Sequence, residues 1–134
     1  MNILFVYFDK IIQNDNLYVK SLCEEIRRQN GSVECSIDAF WNSPRKYDIV
    51  HIQFPEVIFK WRQPSNNGLK ALRQRIARLK SMGTKIVYTR HDAIPHYCTD
   101  KNKLELYRIV ETQSNAIIHL GEYSRQEFAR IYPE

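Results

Sequence analysis

Hydrophobic residues along the chain form short continuous runs, and these runs alternate with stretches in which apolar positions recur every three or four residues. Short runs of this kind are typical of strands that are covered on both faces, as in a parallel sheet. The sequence predicts five strands, at Asn2–Phe8, Val33–Phe40, Asp48–Phe54, Thr84–Thr89 and Ala116–Leu120. The stretches between and after them predict helices.

Four helices follow from the apolar periodicity and from the residues that start or stop helices. The first has its stripe at Val19, Leu22, Cys23 and Ile26, the second at Leu69, Leu72, Ile76 and Leu79, and the third at Leu104, Tyr107 and Val110. Gly31 and Gly83 mark the ends of the first two helices. Ser124 and Glu127 have the spacing of a capping box, which predicts a fourth helix that runs to about Ile131.

The order strand, helix, two strands, helix, strand, helix, strand, helix predicts a Rossmann-like, three-layer α/β sandwich with a parallel, doubly wound sheet. The chain has 134 residues, of which 43% are hydrophobic, and this is the composition of one globular domain over residues 1–134. Disordered and collagen-like classes are excluded. Ile3–Phe8 is too short for a signal peptide or a membrane span, which predicts a cytoplasmic protein or one peripheral on the cytoplasmic membrane face.

In an open parallel sheet, ligands bind beyond the carboxyl ends of the strands. The loop after the first strand, Asp9–Asn16, holds no glycine, so neither a dinucleotide site nor a phosphate-binding P-loop fits it. A phospho-receiver site is also disfavoured, because Gln53 and Gly121 stand where an Asp and a Lys would be needed. The group after the fourth strand, Arg90-His91-Asp92, is the most polar one.

Two segments at strand ends resemble motifs of family-4 glycosyltransferases. Residues 47–56, YDIVHIQFPE, resemble the D-I-V-H-x-x-x-P-E strand and loop of many members, and residues 85–95, KIVYTRHDAIP, resemble their V-x-T-x-H-D-x-x-P segment. Ala116–Leu120, followed by Ser124 and by Tyr132-Pro133, is similar to the strand and helix that come next. The likeness follows the order of elements over nearly the whole chain.

The resemblance implies the N-terminal, acceptor-side domain of a GT-B enzyme. Such an enzyme moves a hexosyl group from a nucleoside-diphosphate sugar to a polysaccharide or lipid-linked glycan, with retention of configuration and without a metal or other cofactor. Its donor binds a second Rossmann-like domain with an E-x7-E motif, which does not occur in residues 1–134. The chain alone is therefore expected to be inactive. Because this chain lacks the glycine-rich turn that many members have after the first strand, donor contact through that loop is not expected.

By the same resemblance His91 is the main catalytic residue of this half. It would donate a hydrogen bond to the transferred sugar and stabilise an oxocarbenium-like transition state. Asp92 would orient His91. The residues alone also allow structural roles. His91 could cap a loop carbonyl, and Asp92 could cap the turn before Pro95.

Four further residues at strand ends are candidates for substrate binding, namely Glu56, Arg90, Glu122 and Tyr123. Glu56 could bind an acceptor hydroxyl or act as a base, and Arg90 could meet a phosphate of the donor or of a lipid-linked acceptor. Glu122 and Tyr123 follow the fifth strand near the same crevice. A solvated side chain is the alternative for Glu56 and for Arg90.

The other histidines predict no metal site. His51 and His119 lie inside strands between apolar neighbours, where a hydrogen-bonded core histidine is the expected state. His96 and Cys98 are close in sequence but lack further ligands at metal-binding spacing.

The cysteines have none of the paired spacings of zinc or redox sites. They are Cys23, Cys35 and Cys98. The sequence predicts reduced thiols in the core or at the surface.

The charge distribution is uneven, although the chain as a whole has 20 Lys and Arg against 15 Asp and Glu. Residues 57–91 hold nine basic residues and no acidic one, and Val57–Trp61 adds apolar and aromatic side chains. The predicted basic–aromatic surface consists of Phe59, Lys60, Trp61, Arg62, Lys70, Arg73, Arg78 and Lys80. Such a surface suits an anionic membrane on which a lipid-linked acceptor is presented.

Other functions remain open at this point. A stand-alone Rossmann-like module could use the basic face for anionic lipid or nucleic acid, although the resemblance disfavours nucleic acid as a partner. An accessory subunit could complete a glycosyltransferase together with a separate donor-domain protein. A merely solvated helix face is the alternative for the basic–aromatic surface itself.

Overall fold

A computed structural model gives the structure of the protein and describes residues 1–8, 17–91 and 100–133. Strands and helices alternate along these residues. The strands are β1 (Ile3–Val6), β2 (Val33–Cys35), β3 (Ile49–Ile52), β4 (Lys85–Arg90) and β5 (Ala116–His119). The helices are α1 (Leu17–Asn30), α2 (Ile37–Asn42), α3 (Asn66–Ser81), α4 (Lys101–Gln113) and α5 (Glu122–Ile131), and a short 3₁₀ helix covers Pro55–Phe59.

The strands form one sheet in the order β2-β1-β3-β4-β5, and every neighbouring pair is parallel. This confirms the predicted parallel, doubly wound α/β sheet. In β1, Ile3 pairs with Val33 of β2 on one side and with Ile49 of β3 on the other. Because the strand order reverses there, the crevice between the carboxyl ends of β1 and β3 is the switch point at which such sheets bind ligands.

Helices cover both faces of the sheet, which gives the three layers that the alternation of elements predicts. On one face Leu4 and Ile86 belong to a core that includes Leu72 of α3. On the other face Phe5 belongs to a core that includes Val19 of α1. Successive residues of a strand therefore enter opposite cores, as the alternation of side chains along a strand requires.

Two predicted helix ends are confirmed at glycines. Gly31 follows α1 and Gly83 follows α3, with φ angles of 81° and 89°. These angles lie in the left-handed region that glycine occupies without steric cost, so each glycine allows the chain to leave its helix.

The second strand is shorter than predicted because its second half is helical. β2 ends at Cys35, and the Ser36 hydroxyl caps α2 by accepting a hydrogen bond from the backbone N–H of Ala39 at 2.9 Å. The prediction of a strand over Val33–Phe40 is therefore wrong beyond Cys35. A serine N-cap followed by Asp38 in the first turn favours the helix.

Helix α5 has the predicted end but not the predicted start. It begins at Glu122, with Gly121 at the cap position and no side-chain hydrogen bond to its first turn among the described residues. The predicted capping box is wrong, because Ser124 and Glu127 have another partner. Both accept hydrogen bonds from Arg90, the hydroxyl at 3.0 Å and the carboxylate at 2.9 Å.

Arg90, the last residue of β4, carries a guanidinium group that is 1% exposed. Besides the two bonds above, it donates to the Ser124 carbonyl at 3.0 Å, and its Nε lies 3.8 Å from a carboxylate oxygen of Glu111 in α4. That distance is within ion-pair range but too long for a hydrogen bond. Burial raises the pKa of Glu111 to about 7, while the charge of Arg90 opposes the rise. Arg90 thus joins β4, α4 and α5, since a cation removed from water needs several partners at once.

We expect the Arg90→Met substitution to lower the free energy of unfolding by roughly 3 kcal/mol, because it leaves the Glu127 carboxylate without its cation and removes the hydrogen bonds to Ser124. Urea denaturation followed by circular dichroism measures this loss. Arg125→Met is the matched control, since Arg125 pairs with Glu122 on the exposed side of α5, and it should leave the urea midpoint almost unchanged. Equal midpoints for the two variants would show that Arg90 does not hold α5 on the sheet.

Candidate functional site

The loops that follow β3 and β4 meet at the carboxyl edge of the sheet, next to the switch point. Gln53 Oε1 and His91 Nε2, one from each loop, lie 2.7 Å apart across a sequence separation of 38 residues. Around this contact lies a group that we call the strand-end cluster, made of His51, Gln53, Phe54, Thr89 and His91. It contains residues of both segments that carry the motif resemblance.

The alternation of side chains along β4 separates Arg90 from its neighbours. Thr89 turns to His51, on the side of the sheet where His51 also contacts Phe5. Arg90 turns to α4 and α5 on the opposite side, and His91 lies beyond the strand and returns to Gln53. We therefore assign Arg90 a structural role in place of the predicted phosphate contact. The alternative of an exposed arginine is wrong as well, because helix residues enclose the guanidinium group.

Gln53 fixes the positions of protons in the strand-end cluster. Its amide nitrogen donates to His51 Nε2 at 3.0 Å and to Thr89 Oγ1 at 3.2 Å. Thr89 Oγ1 lies 2.8 Å from His51 Nε2. His51 is then neutral, in agreement with a pKa that burial, together with the charge of His91, lowers to about 4. The amide oxygen of Gln53 can only accept, so His91 carries a proton on Nε2.

Two aromatic rings hold the His91 ring in addition to Gln53. Phe54 stacks on it, with 4.5 Å between ring centroids and 19° between ring planes. Tyr18 of α1 contacts it edge-on at 5.4 Å. These contacts fix the orientation of the imidazole, which is what a preorganised hydrogen-bond donor requires. The catalytic role of His91 stays a prediction, and Asp92 lies outside the described residues.

Three side chains that position His91 are not singled out by the sequence. Gln53 and Phe54 occupy variable positions of the motif-like segment, and Tyr18 belongs to a helix whose placement against the sheet depends on tertiary packing. The sequence offers one signal for Gln53, because it is a polar residue directly at the end of a buried apolar run.

The two histidines inside strands are hydrogen-bonded, as predicted. His51 is buried within the strand-end cluster. His119 Nδ1 lies 3.0 Å from the Ser124 hydroxyl, but the side chain is half-buried, since β5 is the last strand of the sheet. His119 therefore belongs to the surroundings of α5 and not to a buried core.

Glu56 lies in the loop after β3, but its carboxylate turns towards α4. Its Oε1 accepts a hydrogen bond of 2.8 Å from the hydroxyl of Tyr107, a buried residue. The residue is half-buried, so it is anchored and not a freely solvated carboxylate. A role of Glu56 towards an acceptor stays a prediction.

Glu122 and Tyr123 lie in the first turn of α5, after the strand next to β4. Glu122 pairs with Arg125 of the same helix, and the Tyr123 side chain is 72% exposed. Both are accessible at the carboxyl edge, one strand away from the strand-end cluster. Substrate binding by these two residues stays a prediction.

The basic–aromatic surface is smaller than the sequence predicts. Arg73 forms an ion pair of 2.6 Å with Glu105 of α4, and Phe59 is half-buried against Trp41. Arg75 of α3 turns inward and donates to the backbone carbonyl of Ser43 at 2.9 Å. A stretch of sequence without acidic residues gives no information about acidic residues on a neighbouring helix, such as Glu105 of α4. The exposed members are Lys60, Trp61, Arg62, Lys70, Arg73 and Arg78, of which Arg73 is paired with Glu105, while Lys80 is half-buried.

Trp61 connects this surface to the strand-end cluster. Its side chain is 53% exposed, and its ring lies 6.0 Å from the ring of Phe54. Lys60 and Trp61 have φ angles of 56° and 65°, in the left-handed region that residues with a side chain rarely adopt. Residues with such backbone angles cluster at functional sites, and this turn keeps a large aromatic side chain in water next to the carboxyl edge of the sheet.

A cavity of about 330 Å³ opens between α2 and the 3₁₀ helix. Trp41 and Phe59 give it aromatic walls, and Asn42 donates a hydrogen bond of 2.7 Å to Asp38 at its polar side. The lining residues are Ile37, Asp38, Trp41, Asn42, Ile58, Phe59, Lys60 and Arg62. Its size and mixed lining suit a small polar ligand that also has an apolar face.

Within the described ranges, no three His, Cys, Asp or Glu side chains are grouped closely enough to hold a metal ion. His96 and Cys98, which the sequence assigns to no metal site, lie outside those ranges. No helix of the described part of the chain is both long and apolar enough to cross a bilayer.

The chain was also compared with known proteins. It matches no protein-family model, no curated protein and no solved structure. Its function must therefore be inferred from its own geometry and motifs.

Two buried groups should give opposite pH dependence of stability. The pKa of His51 falls from 6.5 to about 4 on folding, so protonation of the unfolded chain removes stability as the pH drops through that window. The pKa of Glu111, which faces Arg90, Glu127 and Tyr132, rises from 4.5 to about 7, so stability is lost as the pH rises through that range. Between about pH 4.5 and 6.5 the two effects oppose each other.

On acidification, His51→Gln should become more stable relative to the wild-type protein, because it lacks the group that destabilises the wild type. The difference in the free energy of unfolding should grow by up to about 1.4 kcal/mol per pH unit, which is the effect of one proton. Glu111→Gln should lose stability on acidification by a similar amount. Urea titrations at several pH values between about 4.5 and 6.5 measure both slopes. A His51→Gln slope parallel to that of the wild type would contradict a buried, neutral His51.

Proposed function

We propose that this chain is the acceptor-side domain of a GT-B glycosyltransferase in which His91 contacts the transferred sugar. The observation that carries the proposal is the hydrogen bond between Gln53 and His91 at the carboxyl edge of the sheet. It joins the loop of the D-I-V-H-like segment to the histidine of the V-x-T-x-H-D-like segment. The two stretches of resemblance thus meet at the carboxyl edge of the sheet, next to its switch point.

The chemistry of the strand-end cluster suits a transition state in which charge develops on a sugar. The Nε2–H of His91, which donates to Gln53, would be shared with an oxygen of the sugar. A stacked ring and an edge contact also hold the imidazole, so little reorganisation is needed when the charge appears. His51, its neighbour behind Gln53, is neutral and adds no positive charge. A preorganised donor of this kind contributes about 3 kcal/mol to transition-state stabilisation.

The acceptor would approach from the side of Trp61. Phe54 contacts both His91 and Trp61, so an aromatic path leads from the strand-end cluster to the exposed surface. The cations on either side of Trp61, Lys60 and Arg62, would meet the phosphates of a lipid-linked glycan. The cavity beside the 3₁₀ helix offers room for one of its sugar units, whose apolar face would pack on an aromatic wall.

The catalytic test uses the product of the natural coding frame that contains this chain, because donor binding is assigned to another domain. Turnover is measured as the release of nucleoside diphosphate from a panel of UDP-, GDP- and ADP-sugars with glycan and lipid-linked acceptors. His91→Ala should lower turnover at least about tenfold without a large change in melting temperature. His119→Ala, which alters a histidine at the end of the neighbouring strand, is the matched control and should keep its turnover.

Near-normal turnover of His91→Ala would remove His91 from the mechanism. A wild-type protein that uses none of the nucleotide sugars would contradict the glycosyltransferase assignment. The 134-residue chain by itself should release no nucleoside diphosphate, and release by this chain would contradict the assignment of donor binding to another domain.

We further propose that the exposed members of the basic–aromatic surface dock on an anionic membrane. The observation that favours this is an aromatic residue in water, Trp61, between two exposed cations. The chain should sediment with phosphatidylglycerol vesicles but not with phosphatidylcholine vesicles, and high salt should release it.

The double substitution Arg62→Glu/Lys70→Glu should weaken vesicle binding at least about tenfold, since each cation near the surface contributes about 1 kcal/mol. Lys20→Glu/Arg27→Glu, which makes the same charge change on α1, is the matched control and should bind like the wild type. Equal binding of the two variants would contradict a specific docking surface. Binding to single-stranded nucleic acid but not to vesicles would favour the stand-alone module instead.

A further inference from the structure

Two cysteines that are unrelated in the sequence pattern lie against each other in the fold. Cys23 is on the buried side of α1, and Cys35 is the last residue of β2. Their sulfur atoms are 2.9 Å apart, across a sequence separation of 12 residues, and neither is in a disulfide. The packing of α1 beside β2 creates this proximity, which explains why no paired-cysteine spacing reveals it.

We propose that Cys23 and Cys35 form a redox pair that closes into a reversible disulfide between α1 and β2. A disulfide bond is about 2.05 Å long, so the two sulfur atoms need to approach by less than about 1 Å. Both thiols are anchored on regular elements that already face each other. Closure is therefore a local event and needs no rearrangement of the sheet.

The environment of the pair favours a reactive thiolate. The hydrogen bond with Cys35 lowers the pKa of the Cys23 thiol, burial opposes this, and the charge of Arg27 adds to the lowering. The thiolate is the form that attacks a disulfide. Cys23 is 1% exposed whereas Cys35 is half-buried, so an oxidant from solution reaches Cys35 first.

Glutathione disulfide supplies a balanced oxidation. The two sulfur atoms share a hydrogen bond in which either can be the donor, so the proton can lie on Cys23 while the more exposed Cys35 is the thiolate. The Cys35 thiolate attacks one sulfur atom of glutathione disulfide and releases a first glutathione thiolate, and Cys23 then loses its proton. The Cys23 thiolate then attacks Cys35 Sγ of the mixed disulfide, forms the Cys23–Cys35 bond and releases a second glutathione thiolate. The protein loses two electrons and two protons, and one glutathione disulfide becomes two molecules of glutathione.

The bond would also reach the strand-end cluster through α1. The same helix carries Tyr18, whose ring contacts His91. Oxidation would fix this helix to β2, whereas reduction would leave it held by packing alone. This consequence depends on the proposed function, but the disulfide itself does not.

The test uses the full 134-residue chain with Cys98→Ser, which removes the third thiol. The protein is equilibrated with excess glutathione disulfide, alkylated with iodoacetamide and examined by intact-mass spectrometry. We expect a monomer with no alkylatable thiol and no bound glutathione, which returns to two alkylatable thiols with dithiothreitol. The melting temperature of the oxidised form should be higher by roughly 5–10 °C.

The single-thiol variants Cys23→Ala/Cys98→Ser and Cys35→Ser/Cys98→Ser are the controls and should show no such rise in melting temperature. Because Cys35 is half-buried, its replacement keeps the control available if the change at Cys23 prevents folding. Two thiols that stay alkylatable in Cys98→Ser would overturn the proposal. A stable glutathione adduct or a disulfide-linked dimer in place of the internal bond would overturn it as well.

Discussion

The pairing of β3 with β4 determines which side chains meet at the carboxyl edge of the sheet. In the observed register His51 lies opposite Val87, and Ile52 lies opposite Tyr88. Because side chains alternate along a strand, a shift of β4 by one residue would move every one of them to the other face. The same register places Thr89 against His51 and Arg90 against α5. The polar groups on both sides of the sheet therefore depend on one strand pairing.

The two polar groups differ in charge and in what they do. On one side Arg90 binds α5 and lies near Glu111 of α4, so the strand that precedes His91 is held firmly from behind. On the other side His51 is neutral, and Gln53 turns its amide oxygen to His91. Rigid support behind a candidate catalytic group is what keeps its orientation accurate. The stability of the sheet and the geometry of the strand-end cluster are thus linked through adjacent residues of β4.

Much of the fold could be predicted because each strand is a short apolar run and each long helix has an apolar stripe. The end of β2 could not, since Val33, Cys35 and Ile37 alternate like a strand while Ser36 and Asp38 favour a helix. The capping-box spacing of Ser124 and Glu127 is real, but a buried cation from a distant strand takes both side chains. The sequence predicts the place of His91 at a strand end, whereas Tyr18, the Cys23–Cys35 contact and the burial of Arg90 arise from long-range packing. Such contacts have no local signature in one sequence.

The central claim is that the strand-end cluster faces the sugar that is transferred. The most direct measurement is a crystal structure of the natural gene product with a nucleotide sugar and a glycan acceptor bound. We predict that the His91 imidazole lies about 3 Å from an oxygen of the transferred sugar, with the acceptor on the side of Trp61. A sugar bound away from the carboxyl edge of β3 and β4, with no contact to His91, would contradict this account.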